Sequence, residues 1–189
     1  MRFLKTRVVY LIGFILVVVL AACAGILLGK RPIVTPKTLV IGNQGLTIGQ
    51  KAPDFELPSL TSSSSITLKT AKGKPIILTF FASWCTPCKT DIPTIESFYR
   101  QNQNQISVIG IDTGDTKSAA LNFVKSYDLT FPIGYDPTQE LANVLYLIPG
   151  MPTTYFISDS HQVLGIQIGI VRPSLLQTWK QLFPKKASN

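Results

Sequence analysis

A pair of cysteines at the end of an apolar strand limits what this chain can fold into more than any other feature. Trp84-Cys85-Thr86-Pro87-Cys88 comes directly after the run Ile76-Ile77-Leu78-Thr79-Phe80-Phe81, so two thiols stand where a buried strand should hand over to a helix. A cysteine at a helix N-terminus faces unpaired backbone N–H groups and the positive end of the helix dipole, and both favour thiolate over thiol. Cys85 is therefore the expected nucleophile of a dithiol redox centre, its pKa brought from about 8.5 into the roughly 3.5 to 7.5 range of such sites.

Other uses of a Cys-x-x-Cys find little support in the chain. A structural zinc site needs four ligands, and only Cys23 and His161 remain to supply them. Covalent haem attachment needs His directly after the second cysteine, where Lys89 stands. A peroxidatic cysteine is the stronger rival, because Gly49 to Leu57 is similar to the opening of peroxiredoxins as well as of thioredoxin-like reductases. The Pro-x-x-x-Thr/Ser-x-x-Cys run of peroxiredoxins is missing, however: Leu78 and Ala82 occupy its first and fifth positions.

A length of 189 residues with 46% hydrophobic content allows one packed domain and an appendage. The formal charge of +8 raises the question of nucleic acid. Of the 18 basic residues, six (Arg2, Lys5, Arg7, Lys30, Arg31 and Lys37) flank an N-terminal apolar segment, leaving 12 against 10 acidic residues. No basic, aromatic-interleaved patch remains to bind nucleic acid.

Residues 1–7 form a basic N-terminal segment, and residues 8–29 read as a membrane anchor or a lipoprotein signal. The uncharged run Val8 to Leu28, as a helix, spans roughly 31 Å, close to the hydrocarbon thickness of a bilayer. It is apolar on every face and flanked by Lys and Arg at both ends, which speaks against a buried core helix. Leu20-Ala21-Ala22-Cys23 resembles a bacterial lipoprotein box, which makes lipidation of Cys23 the alternative to a single-pass anchor. The apolar run continues through Leu28, where a mature lipoprotein usually turns polar, and this favours the anchor. Either outcome tethers the chain to a bacterial cell membrane, and the signal-like start places the domain beyond Lys30 on the extracytoplasmic side.

Pro32, Pro36, Gly42, Asn43 and Gly45 mark residues 30–46 as a linker, and the domain is expected over 47–189. Within it the patterning predicts strands at Ile66 to Leu68, Ile76 to Phe81, Ile106 to Ile111, Phe131 to Tyr135, Thr153 to Ile157 and Val163 to Ile168. Helices are expected from about Cys85 to Gln103, kinked at Pro93, from Thr116 to Tyr127, from Thr138 to Tyr146 capped by Thr138, and after Arg172. The last should bury Leu175, Leu176, Trp179 and Leu182. Strands alternating with helices, then a closing hairpin through Asp159 to Gln162, argue an α/β fold around a central mixed sheet.

Phe80 to Cys88, Pro93 five residues beyond, and Gly150-Met151-Pro152-Thr153-Thr154-Tyr155-Phe156-Ile157 downstream resemble the thioredoxin fold. More closely, they resemble membrane-tethered thiol-disulfide oxidoreductases of the TlpA and ResA type, over about Thr47 to Phe183. The resemblance implies a central mixed sheet flanked by helices, with an N-terminal extension and an extra βα unit from Gly114 to Tyr135. It implies Cys85 as attacking thiolate, Cys88 as resolving thiol, Thr86 and Pro87 as tuning residues, and no metal or organic cofactor beyond a redox-active Cys85–Cys88 disulfide. Pro152 matches the family's cis-proline and would present the backbone of Met151 to substrate. The implied function is reduction of disulfides in exported proteins such as apocytochrome c, with electrons from a membrane thiol-transfer donor of the DsbD or CcdA kind.

Thr79 departs from the pattern, since thioredoxin has a buried acid at that position. Asp91, where ResA-like proteins have glutamate, is three residues past Cys88 and lies near the dithiol if the segment is helical. It would take up the Cys88 proton or raise the thiol pKa values as a like charge; a solvated first-turn acid is the equal alternative. Trp84 divides evenly between rim packing and docking surface, and His161 reads as a solvated turn residue. A thiol peroxidase, a module delivering Cu(I) through the two thiolates and a non-catalytic adaptor are the competing functions.

Overall fold

The computed structural model describes residues 45–183. The expected anchor with Cys23, and nearly all of the expected linker, lie outside them. Among the described residues no helix is long and apolar enough to cross a membrane.

The centre of the fold is β3 (Ile76–Phe81), the apolar run itself, with all six residues buried. A strand covered on both faces needs apolar side chains pointing both ways, and this explains an unbroken run instead of alternation. It pairs in parallel with β4 (Ser107–Thr113), which pairs in parallel with β5 (Ile133–Asp136). On its other side it pairs antiparallel with β6 (Thr153–Ile157), next to β7 (Val163–Ile168), giving the order β5-β4-β3-β6-β7. A small hairpin of β1 (Leu57–Pro58) and β2 (Ser65–Ile66) lies against the β5 edge through a Ser59–Gly134 bridge.

Three helices are described: α1 (Thr86–Asn102), α2 (Lys117–Ser126) and α3 (Pro173–Leu182). Their apolar faces, with Ile92, Ile95, Phe98, Ala120, Phe123 and Leu176, pack on Ile77, Phe81, Val108 and Phe156 of the sheet. Each such large side chain removed from water contributes about 1.5–3 kcal/mol. Thr116 caps α2 by accepting from the Ala119 amide, and Trp179 of α3 stacks on Phe156 with ring centroids 4.3 Å apart. That stacking needs Gly165 on β7, because the Trp179 ring occupies the space a Cβ there would take. The result is the expected thioredoxin-like architecture, with α2 and β5 as the additional unit.

Several local expectations are corrected. The helix from Thr138 to Tyr146 is a π-helical turn at Leu141–Leu145, and no Thr138 side-chain cap forms. Gln139 takes a left-handed φ of 61°, which interrupts any helix there, and the Asp136 carboxylate receives the Ala142 amide at 3.1 Å instead. The strand expected over Ile66 to Leu68 is β2, and Leu68 begins a 3-10 turn capped by Thr67. The strand expected from Phe131 begins at Ile133. Leu176 is buried and Leu175 and Trp179 partly so, but Leu182, the last residue of α3, is 59% exposed. The helix after Cys85 runs through Pro93.

Candidate functional site

The dithiol lies at the C-terminal end of β3, where strand passes to helix. Cys85 is the N-cap of α1, Pro87 stands in the first turn, and the Cys85 sulfur receives the Cys88 amide at 3.2 Å. Pro suits this position, since its fixed φ matches the helix and its missing N–H would have had no intrahelical partner. Cys85 and Cys88 are joined in a disulfide with Cα atoms 5.3 Å apart. Cys85 is 5% exposed and Cys88 wholly buried, so the first cysteine is the one that meets solvent. Thr86 and Pro87 are exposed beside it. Trp84 is 58% exposed beside the dithiol, whereas Phe81 is core.

The Met151–Pro152 bond is cis, as the resemblance implied. Met151 is partly buried against the same cluster that holds both cysteines. The Pro152 carbonyl receives the Gly169 amide at 2.8 Å, which ties the proline loop to the segment after β7.

That segment also reaches Asp91. The Asp91 carboxyl is fully buried, its Oδ1 accepts the Val171 amide at 2.6 Å, and its Oδ2 has no partner. The solvated first-turn reading is therefore overturned. Burial pushes its pKa up to about 6, with the Val171 hydrogen bond pulling the other way. A one-turn offset from Cys88 on α1 brings the carboxyl to the dithiol's side of the helix. Thr79 is buried and receives the Thr154 hydroxyl at 3.0 Å, a neutral pair at the position of thioredoxin's acid. His161 is half-buried in the β6–β7 turn with a φ of 66°, and its carbonyl receives the Ala52 amide.

Two acids escaped the sequence reading. Asp115 reaches across 32 residues to Ser83, receiving its amide at 2.7 Å and its hydroxyl at 2.8 Å. Asp112, on β4 in register with Phe81, is fully buried with both carboxyl oxygens unpartnered. The one available signal was position: both lie at or just past the end of the strand parallel to β3, at the carboxyl edge where open α/β sheets place their sites. Among the described residues no group of three His, Cys, Asp or Glu is arranged to hold a metal ion.

The family model described as AhpC/TSA matches residues 48–166. The thiol-disulfide oxidoreductase ResA of Oceanobacillus iheyensis is 33% identical over 131 residues, 67% of this chain and 68% of that protein. ResA of Bacillus subtilis is 30% identical over 142 residues, 75% of this chain and 78% of that protein. Among solved structures, a Chlorobium tepidum protein described as a thiol:disulfide interchange protein DsbE superposes with a TM-score of 0.64 at 28% identity. The match covers 72% of this chain and 94% of that one.

Proposed function

Because the chain belongs to the AhpC/TSA family, among the relatives of the ResA thiol-disulfide oxidoreductases, we propose that it is a membrane-tethered reductase of disulfides in exported proteins, apocytochrome c among them. Residues 8–29 provide the tether, as a single-pass anchor or through lipidated Cys23, and hold the domain on the extracytoplasmic side. The observation that carries the reading is the asymmetry of the pair: Cys85 caps the helix and touches solvent, and Cys88 is sealed beneath it.

In the reduced protein the Cys85 thiolate attacks one sulfur of a substrate disulfide. The substrate S–S bond breaks, one substrate sulfur leaves as a thiolate and takes a proton, and a mixed disulfide forms at Cys85. Cys88 then attacks the Cys85 sulfur, closing the internal disulfide and releasing the second substrate thiol. Two electrons pass from the dithiol to the substrate. Cys88 must lose a proton while shut off from solvent, and the free Oδ2 of Asp91, with a pKa of about 6, is a base suited to receive it near neutral pH. Trp84, Thr86 and Pro87 are the exposed surface against which the substrate segment lies, and the buried cis-Pro152 holds the partly exposed Met151 so that its backbone meets that segment. The exchange itself needs no further cofactor, and a membrane thiol-transfer donor of the DsbD or CcdA kind restores the dithiol.

Cys88→Ser in the full chain, expressed in a respiring bacterial host, stops the reaction at the mixed disulfide. Partners captured at Cys85 and released by reductant should include apocytochromes and should sediment with the membrane. Recovery of no covalent partner, together with rapid oxidation of the wild-type dithiol by hydroperoxide, would replace this reading with a thiol peroxidase.

A further inference from the structure

Asp115 stands one residue before Thr116, the N-cap of α2, yet it takes no part in capping, because the Thr116 hydroxyl already serves the Ala119 amide. Its carboxylate turns to the loop between β3 and α1, where both oxygens are used by a single residue, Ser83. Its own carbonyl receives the Tyr135 hydroxyl at 3.0 Å, so β5 holds it from the other side. Charge-assisted bonds of this length are about twice as strong as neutral ones, and a two-point grip fixes orientation as well as position.

Ser83 lies between the residues that set the turn into the dithiol. The Ala82 carbonyl receives the Cys85 amide at 3.2 Å, and this turn delivers the Cys85 sulfur to the N-terminus of α1. We infer that Asp115 is a positioning residue for disulfide exchange: through Ser83 it holds the Ala82–Trp84 loop so that the Cys85 sulfur sits over the open amides of α1. The inference rests on the exchange role proposed for Cys85.

Asp112 supports the arrangement from below. It is buried with two unpartnered oxygens, and burial with the charges of Asp115 and Asp136 pushes its pKa up to about 8. At neutral pH it is therefore a neutral acid, and it adds no second negative charge beside Asp115. Two donors, the Ser83 amide and hydroxyl, converge on the Asp115 carboxylate in a nearly sealed site.

The test uses the reduced full-length chain and tracks iodoacetamide alkylation of the Cys85 peptide against pH by mass spectrometry, alongside the rate of insulin reduction. Asp115→Asn keeps one acceptor for two donors, and Ser83→Ala deletes the hydroxyl from a half-exposed loop residue without disturbing the core. Both should move the alkylation midpoint up towards that of an ordinary cysteine and slow exchange on the order of tenfold. The double variant should be no worse than the poorer single one, since both cut the same contact. Simple loss of a negative charge near the thiolate would lower the midpoint instead. A lowered midpoint in Asp115→Asn with Ser83→Ala at the wild-type value would therefore assign Asp115 a through-space role and overturn positioning. Wild-type midpoints in both folded variants would also overturn it. Alkylation does not depend on protein substrate, so failure of the exchange reading would show as lost insulin reduction with these shifts intact.

Discussion

On one face of the central sheet, three helices cover Ile77, Phe81, Val108 and Phe156; on the other, loops, a 3-10 turn and a π-helical turn cover Ile76, Leu78, Phe80 and Tyr155. The polar groups buried on the two faces differ in kind. The helical face holds the dithiol and a carboxyl with a free oxygen. The loop face holds tyrosines whose hydroxyls are spent on backbone carbonyls: Tyr146 on Pro53 at 2.8 Å, Tyr155 on Tyr146 at 3.4 Å. Burial raises the Tyr146 pKa far above its ordinary value and pushes that of Tyr155 up to about 12, so neither titrates in the working range. A helix offers an N-terminus and a rigid offset between side chains, and chemistry gathers where those are available. The loop face only has to be filled, and Phe80, Tyr146 and Tyr155, with centroids 5.2 to 6.0 Å apart, fill it.

Tyr146→Ala puts the greatest strain on this division. It empties a fully buried aromatic site, and the expected loss is about 3–5 kcal/mol of unfolding free energy in denaturant titrations of the oxidised protein. Exchange per folded molecule should stay at the wild-type rate. A matching fall in specific activity would mean that the two faces are coupled through β3, and the division would fail.

On the helical face Asp91→Asn should give the opposite pairing of effects. The folded pKa of Asp91, about 6, lies above the unfolded value of 3.8, so the folded state binds the proton more tightly. Wild-type stability is therefore unpenalised below pH 4 and declines as pH rises towards 6. The full cost, on the order of 3 kcal/mol, is present above that. The asparagine variant lacks this slope, so its stability relative to wild type should rise across pH 4 to 6 and then level off. Its resolving step should slow, because Oδ2 no longer receives the Cys88 proton. A difference curve flat in pH, with resolution at the wild-type rate, would leave Asp91 as a structural hydrogen-bond acceptor for Val171.

The same division explains what could be read in advance. Ile92, Ile95 and Phe98 repeat at helical spacing, and Ile76 to Phe81 is apolar without a break, so α1, β3 and the dithiol between them are written locally. Residues 138–146 look helical by the same measure, but the sequence does not reveal that Gln139 turns left-handed or that Asp136 supplies the amide acceptor. Asp91 has the same i, i+3 offset from Cys88 whether solvated or buried. What decides is the Val171 amide, 80 residues away. Asp115 and Ser83 are likewise joined only by the parallel pairing of β3 with β4. Contacts closed by tertiary structure carry no period, and the proton chemistry of this site depends on them.

Tyr146→Phe gives the smallest effect and tests the loop face without opening a cavity. The ring and its aromatic neighbours remain, and only the hydrogen bond to the Pro53 carbonyl is lost, leaving that carbonyl without its partner. The expected cost is about 1 kcal/mol. Because the Tyr146 hydroxyl stays protonated in both states throughout the working range, that cost should be the same at pH 5 and pH 8, read as equal shifts of the denaturant midpoint. Exchange rates should not move at either pH. Asp91→Asn and Tyr146→Phe each remove one buried polar function, yet the first should change stability with pH and slow exchange, and the second should do neither. A pH-dependent cost in Tyr146→Phe that survives Asp54→Asn, the carboxylate whose charge acts on Tyr146 from its own side, would mean that a titrating group on the helical face senses the tyrosine cluster through the sheet.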